Sequence, residues 1–348
     1  MNQLWSRRQT LVAIASTAST LALHSCAPSQ QSSENSSQNS SQNSSQQELT
    51  TATIGLFTWV GSAPLYIARD KGFFQKLGLN LKVKVFAENT DANAAFISDR
   101  LDAVSPVTSE AVTLAANGGD FRIVLVQDSS VGGDGILARK KIANISDFKG
   151  KKIAVEEGSV SHFFLLQVMA EAGLEANDFT MVNAGPDIAA TAYRSGQVDI
   201  AVTYEPHLSK ANREQPDGRI IYDSARMPTA IADLYVFNTQ FLETNPQAAE
   251  AFVRGVLQGL EFLKTNREEG VAIASKALGI APEELEDGLL GVRLPDLAAN
   301  LEMLANPESD LYLLKSMESL ANFLKDRKQI QKIPDLAKLI EPKFVKAI

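Results

Sequence analysis

The chain has 348 residues, 45% hydrophobic and 21% charged, with a formal net charge of -8, three histidines and one cysteine. Such acidity argues against a nucleic-acid partner, which requires a basic footprint. A single cysteine precludes a disulfide within the chain, and with only His24, His162 and His207 available a His/Cys metal cluster is out and a histidine-based nucleophile relay has little to draw on; no metal and no cofactor is expected.

The N-terminus has its own pattern. Arg7 and Arg8 precede an apolar run from Leu11 to Leu23, and Leu23-His24-Ser25-Cys26 closes it. A basic start, a short apolar core and a small residue before the cut read as a secretory signal over residues 1–25. The core is shorter than the ~20 apolar residues that span a bilayer. A cysteine directly after the cut resembles a bacterial lipobox, in which its thiol is acylated, although His24 is unusual there. Ser6 to Leu11 also resembles a twin-arginine signal without its usual Phe, so the export route stays open. Removing residues 1–25 takes away two arginines and no acid, which moves the net charge from -8 to -10. Residues 26–48 are rich in Ser, Gln and Asn, with a short NSSQ repeat. They bury too little to offset their ordering entropy and read as a flexible tether with a reach of about 25 Å. The expectation is an exported domain, lipid-anchored at Cys26 on the outer face of a membrane.

From Thr51 onward, β-branched runs alternate with helical patterns. Strands are expected at 53–57, 81–86, 103–104 and 122–127, and helices at 64–76, 92–99 and 110–117. A second set follows: strands at 136–139, 152–155, 180–183, 199–203, 219–222 and 233–238, and helices at 160–172 and 188–195. Asn245-Pro246 then supplies a cap and a first-turn proline for a helix running to about Thr265. Further helices are expected near 268–278, 282–290, 296–304, 309–325 and 333–340. The alternation predicts two α/β lobes with mixed, mainly parallel sheets flanked by helices. Lobe 1 takes 49–137 plus 237–348 and lobe 2 takes 138–236, with hinge crossovers near Gly135 to Lys140 and Ala232 to Asn238. A ligand then belongs in the cleft, at the C-terminal ends of strands.

Particular segments are familiar. Trp59 to Ala68, Gly72-Phe73-Phe74, Gly78-Leu79, Asp147 to Val155, Gly158 to Phe163, Ser195 to Val202 and Tyr204 to Ser209 resemble, in order and spacing, the substrate-binding proteins of nitrate/sulfonate/taurine-type ABC importers. The resemblance implies a type II periplasmic-binding fold, capture of a small solute by lobe closure, and docking of a monomer on a membrane permease driven by an ATPase. It also extends to thiamine-pyrimidine synthases of the same fold, which work through cysteine and histidine clusters and a pyridoxal cofactor; a sole cysteine at the lipobox and export as a lipoprotein speak against an enzyme here.

The candidate ligand residues are Trp59, Glu110, Asp134, Ser159, Glu205 and Asp233. Gly158 to Ser161 opens a helix, and its free N–H groups favour an anion. Ser159 alternatively only caps that helix. The four acids lie at strand ends or hinge entries with no Lys or Arg beside them except on the exposed segments 139–141 and 149–152, and burying them around an anion would be prohibitive. Trp59 offers an indole face to a cation, or else plugs the space between the lobes. Each acid has a plainer role open to it as a cap, turn former or solvated side chain. The balance predicts a small nitrogenous cation, with guanidine or a guanidino or amine compound first because planar N–H donors pair bidentately with carboxylates. A taurine or alkylsulfonate ligand comes next, nitrate and bicarbonate rank lower, and a thiamine-precursor pyrimidine would use an aromatic cleft drawn from Trp59, Tyr66, Phe163, Phe164 and Tyr204.

Overall fold

The computed structural model describes residues 49–227 and 230–348; the expected signal, the Cys26 anchor and the tether lie outside them. The first lobe opens with β1 (Thr50–Phe57), α1 (Ala63–Asp70), α2 (Phe73–Lys76), β2 (Leu79–Phe86), α3 (Asn89–Ile97), β3 (Ala103–Val104), α4 (Thr108–Ala116) and β4 (Phe121–Ser130). The chain then builds the second lobe with β5 (Asp134–Arg139), β6 (Lys152–Val155), α5 (Val160–Glu171), β7 (Thr180–Asn183), α6 (Pro186–Ser195), β8 (Ile200–Tyr204), α7 (His207–Glu214) and β9 (Gly218–Asp223). It returns through β10 (Ala232–Asn238), α8 (Thr239–Thr244), α9 (Pro246–Thr265), α10 (Arg267–Leu278), α11 (Pro282–Leu289), β11 (Val292–Arg293), α12 (Leu297–Ala305), α13 (Leu313–Asp326) and α14 (Lys343–Lys346).

Two mixed sheets result, with strand orders β11-β4-β10-β3-β1-β2 and β7-β6-β8-β5-β9. β1 with β2 and β3, and β6 with β7 and β8, pair in parallel. Four of the five antiparallel pairings involve the crossover strands: β10 with β3 and β4, and β5 with β8 and β9. A strand that has just crossed between lobes enters its new sheet against the local direction. Both crossovers fall earlier than expected, before β5 at 131–133 and between β9 and β10, because β5 is paired wholly within the second sheet and β10 wholly within the first.

Two other expectations change. The helix expected over 64–76 is two helices, because Gly72 adopts φ 69°, a left-handed conformation that stops α1. The helix expected at 333–340 is only a single turn, Ala337–Leu339. Beyond it Ile340 bridges to Ile123, and the Glu341 N–H donates to the Ile123 carbonyl at 3.0 Å, which holds that segment along β4 instead.

Lobe 1 packs Ile54, Leu56, Val124, Val126, Leu234 and Val236 beneath α9, where Phe252 stacks on Phe74 at 5.8 Å. Lobe 2 buries Leu137, Ala154, Tyr193, Ala201 and Leu208. A third apolar cluster joins the lobes through Trp59, Val60, Val155, Tyr204, Leu285 and Leu289. Among the described residues, no helix is long and apolar enough to cross a membrane.

Candidate ligand site

The strand ends converge where the lobes meet. β1 ends at Phe57, and Trp59 follows it; β8 of the other lobe ends at Tyr204. The Tyr204 ring meets Phe57 at 5.7 Å and Trp59 edge-on at 5.8 Å, so an aromatic wall spans both lobes. The Tyr204 hydroxyl donates to Asn89 Oδ1 at 3.0 Å, which ties this wall to the first turn of α3.

Six carboxylates surround that wall, all nearly or fully buried: Glu110, Asp128, Asp134, Glu156, Glu205 and Asp233. The ion pairs found among the described residues all lie elsewhere, so none of the six is matched by a Lys or Arg. Where their oxygens accept hydrogen bonds, the donors are neutral. Glu110 accepts from Asn89, Asn93 and the backbone of Val107 and Val160. Asp128 Oδ2 accepts from Trp59 Nε1 at 2.8 Å and from Gln127 Nε2 at 3.1 Å. Glu156 Oε1, in lobe 2, accepts from the Thr90 hydroxyl at 2.9 Å and the Thr90 N–H at 3.2 Å, in lobe 1. Asp128 Oδ1, Glu156 Oε2 and Asp233 Oδ1 are buried without a hydrogen-bond partner among the described residues.

Burial without cations controls their titration. Asp134 is pushed up to about 7, first by burial and then by repulsion from Asp128, Glu205 and Glu110, with partial relief from Ser130. Glu156 also rises to about 7, through burial opposed by Thr90. Glu110 and Glu205 are raised by burial against their hydrogen bonds. Asp128 and Asp233 are register partners on β4 and β10. Their carboxyls share a hydrogen bond that favours the charge on Asp128, while burial and like-charge repulsion drive Asp233 well above the usual range. Protonated Asp233 therefore donates to Asp128. A solute with positive charge would replace those protons.

The six residues expected from sequence are all buried, but they do not do the same work. Trp59, Glu110, Asp134 and Asp233 belong to the acidic and aromatic constellation. The Glu205 carboxylate instead accepts the Ser209 N–H at 3.2 Å and the Ser209 hydroxyl, so it caps the first turn of α7. The Ser159 hydroxyl donates to the Glu156 carbonyl at 2.8 Å, a local turn bond. Of the aromatic residues weighed for a pyrimidine, Trp59 and Tyr204 stand at the site, whereas Tyr66 and Phe163 pack in the lobe 1 core and Phe164 in the apolar cluster that joins the lobes.

Sequence reasoning missed Asp128, Glu156, Asn89 and Asn93. Gln127-Asp128 breaks an otherwise apolar strand at its C-terminal end, and Glu156 directly follows β6. Such positions are where open α/β sheets place ligand groups. Asn89 and Asn93 are four apart on α3 and so share one face. Two glycines were missed as well. A Cβ on Gly61 would sit 1.9 Å from Asp128 Oδ2 and 2.4 Å from Trp59 Nε1, inside that hydrogen bond, and one on Gly133 would lie 2.7 Å from Trp59 Cη2. Gly61→Ala is expected to lower stability by ~1–3 kcal/mol through overpacking. It should also perturb the fluorescence of Trp59, the one Trp among the described residues; an unchanged melting curve and spectrum would contradict the close packing.

A family model described as NMT1/THI5 like matches residues 59–270. The chain belongs to this family. A relative named putative aliphatic sulfonates-binding protein, from Bacillus subtilis, is 27% identical over 290 residues, covering 82% of this chain and 84% of the relative. The 4-amino-5-hydroxymethyl-2-methylpyrimidine phosphate synthase of Aspergillus parasiticus is 26% identical over 225 residues, covering 58% of this chain and 62% of its own. Among solved structures, the alkanesulfonate-binding protein SsuA from Xanthomonas axonopodis pv. citri, bound to MOPS, superposes with a TM-score of 0.70 at 18% identity, covering 85% of this chain and 99% of that one. The two-lobed α/β architecture of this NMT1/THI5-like chain is thus the periplasmic-binding fold seen in SsuA structures.

Proposed function

We propose that this NMT1/THI5-like chain is the extracytoplasmic solute-binding protein of an ABC importer, and that its solute is a small nitrogenous cation. Guanidine, or a guanidino or amine compound, is the first choice. The lobes close on the solute and present it to the permease, which its ATPase drives. The protein works as a monomer tethered through the lipid on Cys26, and it does no chemistry on its ligand.

The observation that carries the charge assignment is the set of buried carboxylates without a matching cation, backed by the aromatic wall of Phe57, Trp59 and Tyr204. A planar cation with several N–H groups would displace the proton shared by Asp128 and Asp233 and pair with the carboxylates so freed. The indole and phenol rings would add cation–π attraction worth ~1–2 kcal/mol in a desolvated site.

A second reading is a sulfonate such as taurine or an alkylsulfonate, and the name of the Bacillus subtilis relative favours it. Taurine reconciles the two, because its ammonium would take the acids. The synthase relative keeps a pyrimidine ligand in view.

Thermal shift against guanidine, agmatine, taurine, an alkylsulfonate, nitrate, bicarbonate and a thiamine pyrimidine separates these readings. A ligand at 100 times its Kd adds ~2.7 kcal/mol. The expected result is a raised melting temperature with guanidine or another small cation. A rise with nitrate or an alkylsulfonate alone would overturn the cationic reading.

A further inference from the structure

We infer that Glu110 is a built-in counter-anion: its carboxylate occupies the start of α5 and thereby sets the charge sign of the solute that the cleft accepts. The inference deepens the cationic reading and rests on it for the preferred solute.

The first N–H groups of a helix have no acceptor within the helix, and the dipole makes that end attractive to an anion. In α5 the residue at the cap position, Ser159, makes no side-chain bond to these groups. The Val160 N–H instead reaches across the cleft to Glu110 Oε1 at 3.3 Å, from a residue 50 positions away in the other lobe. Asn89 Nδ2 donates to the same oxygen at 3.2 Å. Asn93 Nδ2 and the Val107 N–H donate to Oε2 at 3.1 Å and 3.3 Å. The nearby Gly158 N–H is also taken, by His162 Nδ1 at 3.1 Å.

Four neutral N–H donors from three segments, α3, the loop before α4 and the start of α5, therefore converge on one carboxylate that is 3% exposed. Such a donor set is what a sulfonate or carboxylate ligand requires, and here the protein fills it from within. A capping role at α4 accounts for the Val107 bond alone; it does not account for Asn89, Asn93 or Val160. With the anion position occupied from within the protein, the remaining acids face a solute that must bring positive charge.

The test is calorimetric titration of the parent, Glu110→Ala and Glu110→Gln with guanidinium, methanesulfonate and acetate, with folding of each variant checked by circular dichroism. The parent should bind guanidinium and neither anion. E110A vacates the four donors and should gain methanesulfonate or acetate binding while losing roughly tenfold in guanidinium affinity, because one buried negative charge leaves the site. E110Q keeps the volume without the charge and should lose guanidinium affinity without gaining an anion. A folded E110A that binds neither anion overturns the inference, as does a parent that binds methanesulfonate as tightly as E110A. If E110A does not fold, undiminished guanidinium binding by E110Q overturns it. The two claims separate cleanly. A parent that binds guanidinium, with no anion gained by E110A, removes the counter-anion and leaves the cationic reading. A parent that binds no cation, with an anion gained by E110A, removes the cationic reading and leaves the counter-anion.

Discussion

Replacing Asp233 with Asn raises the dissociation constant of a cationic solute by about 10- to 100-fold, the effect of one charge-assisted hydrogen bond worth ~1.5–3 kcal/mol. The substitution preserves the fold because an amide at this position still donates to Asp128, as the protonated Asp233 carboxyl does. It removes the carboxyl from which a bound cation would displace the proton shared with Asp128. Glu205→Gln is the matched comparison. The Glu205 oxygens already accept from Ser209, so E205Q should cost ~1 kcal/mol of stability through a weakened cap on α7 and leave solute affinity within about twofold. Calorimetric titration and melting curves on both variants separate a ligand group from a cap. Equal losses of affinity would mean that the acids act through the fold and not through contact.

Affinity for the cation rises with pH by about tenfold per unit for each proton displaced, across the range from about 5 to about 7. The groups responsible are Asp134 and Glu156, both pushed up to about 7 by burial, together with the Asp128–Asp233 pair. Glu110 and Tyr204 face the same space. Because the folded values lie above those of the unfolded chain, ligand-free stability from these acids is fully present below about 4 and is lost as the pH climbs through about 7. A bound cation favours the ionised forms, so it drives protons off, and its affinity improves as fewer protons remain to be displaced. Titrations near pH 6 in buffers of differing ionisation enthalpy should register proton release. A sulfonate would show the opposite slope, since ionised acids repel it. A flat profile between pH 5.5 and 8 would remove the buried acids from recognition.

Much of the fold was legible because its signals are local. The β-branched runs at 53–57 and 152–155 and the Asn245-Pro246 helix start each specify their element through near neighbours. The errors fall where distant partners decide. The crossover positions depend on which sheet pairs with β5 and β10, and no local pattern contains that information. Residues 333–340 carry a helical pattern, but an edge bond to Ile123 holds Ile340 extended.

The site divides in the same way. Trp59, Glu110, Asp134 and Asp233 were legible as charge or aromatic surface at strand ends without a neighbouring cation. Asp128 and Glu156 were passed over because their importance comes from partners distant in sequence: Trp59 within the same lobe for Asp128, and Thr90 of the other lobe for Glu156. Glu205 carried the same local signature as Asp233, and only the position of Ser209 made it a cap.

Alone, the sequence determined the two-lobed α/β plan, the acidity of the cleft and the scarcity of cysteine and histidine, because composition and periodicity act through residues close in the chain. The tertiary structure decided which acids keep open oxygens, which are satisfied locally, and that Glu110 rather than a solute meets the α5 helix start. These are properties of donors and acceptors brought together from opposite lobes, and in a buried site the worth of a charge depends on those partners more than on the residue that bears it.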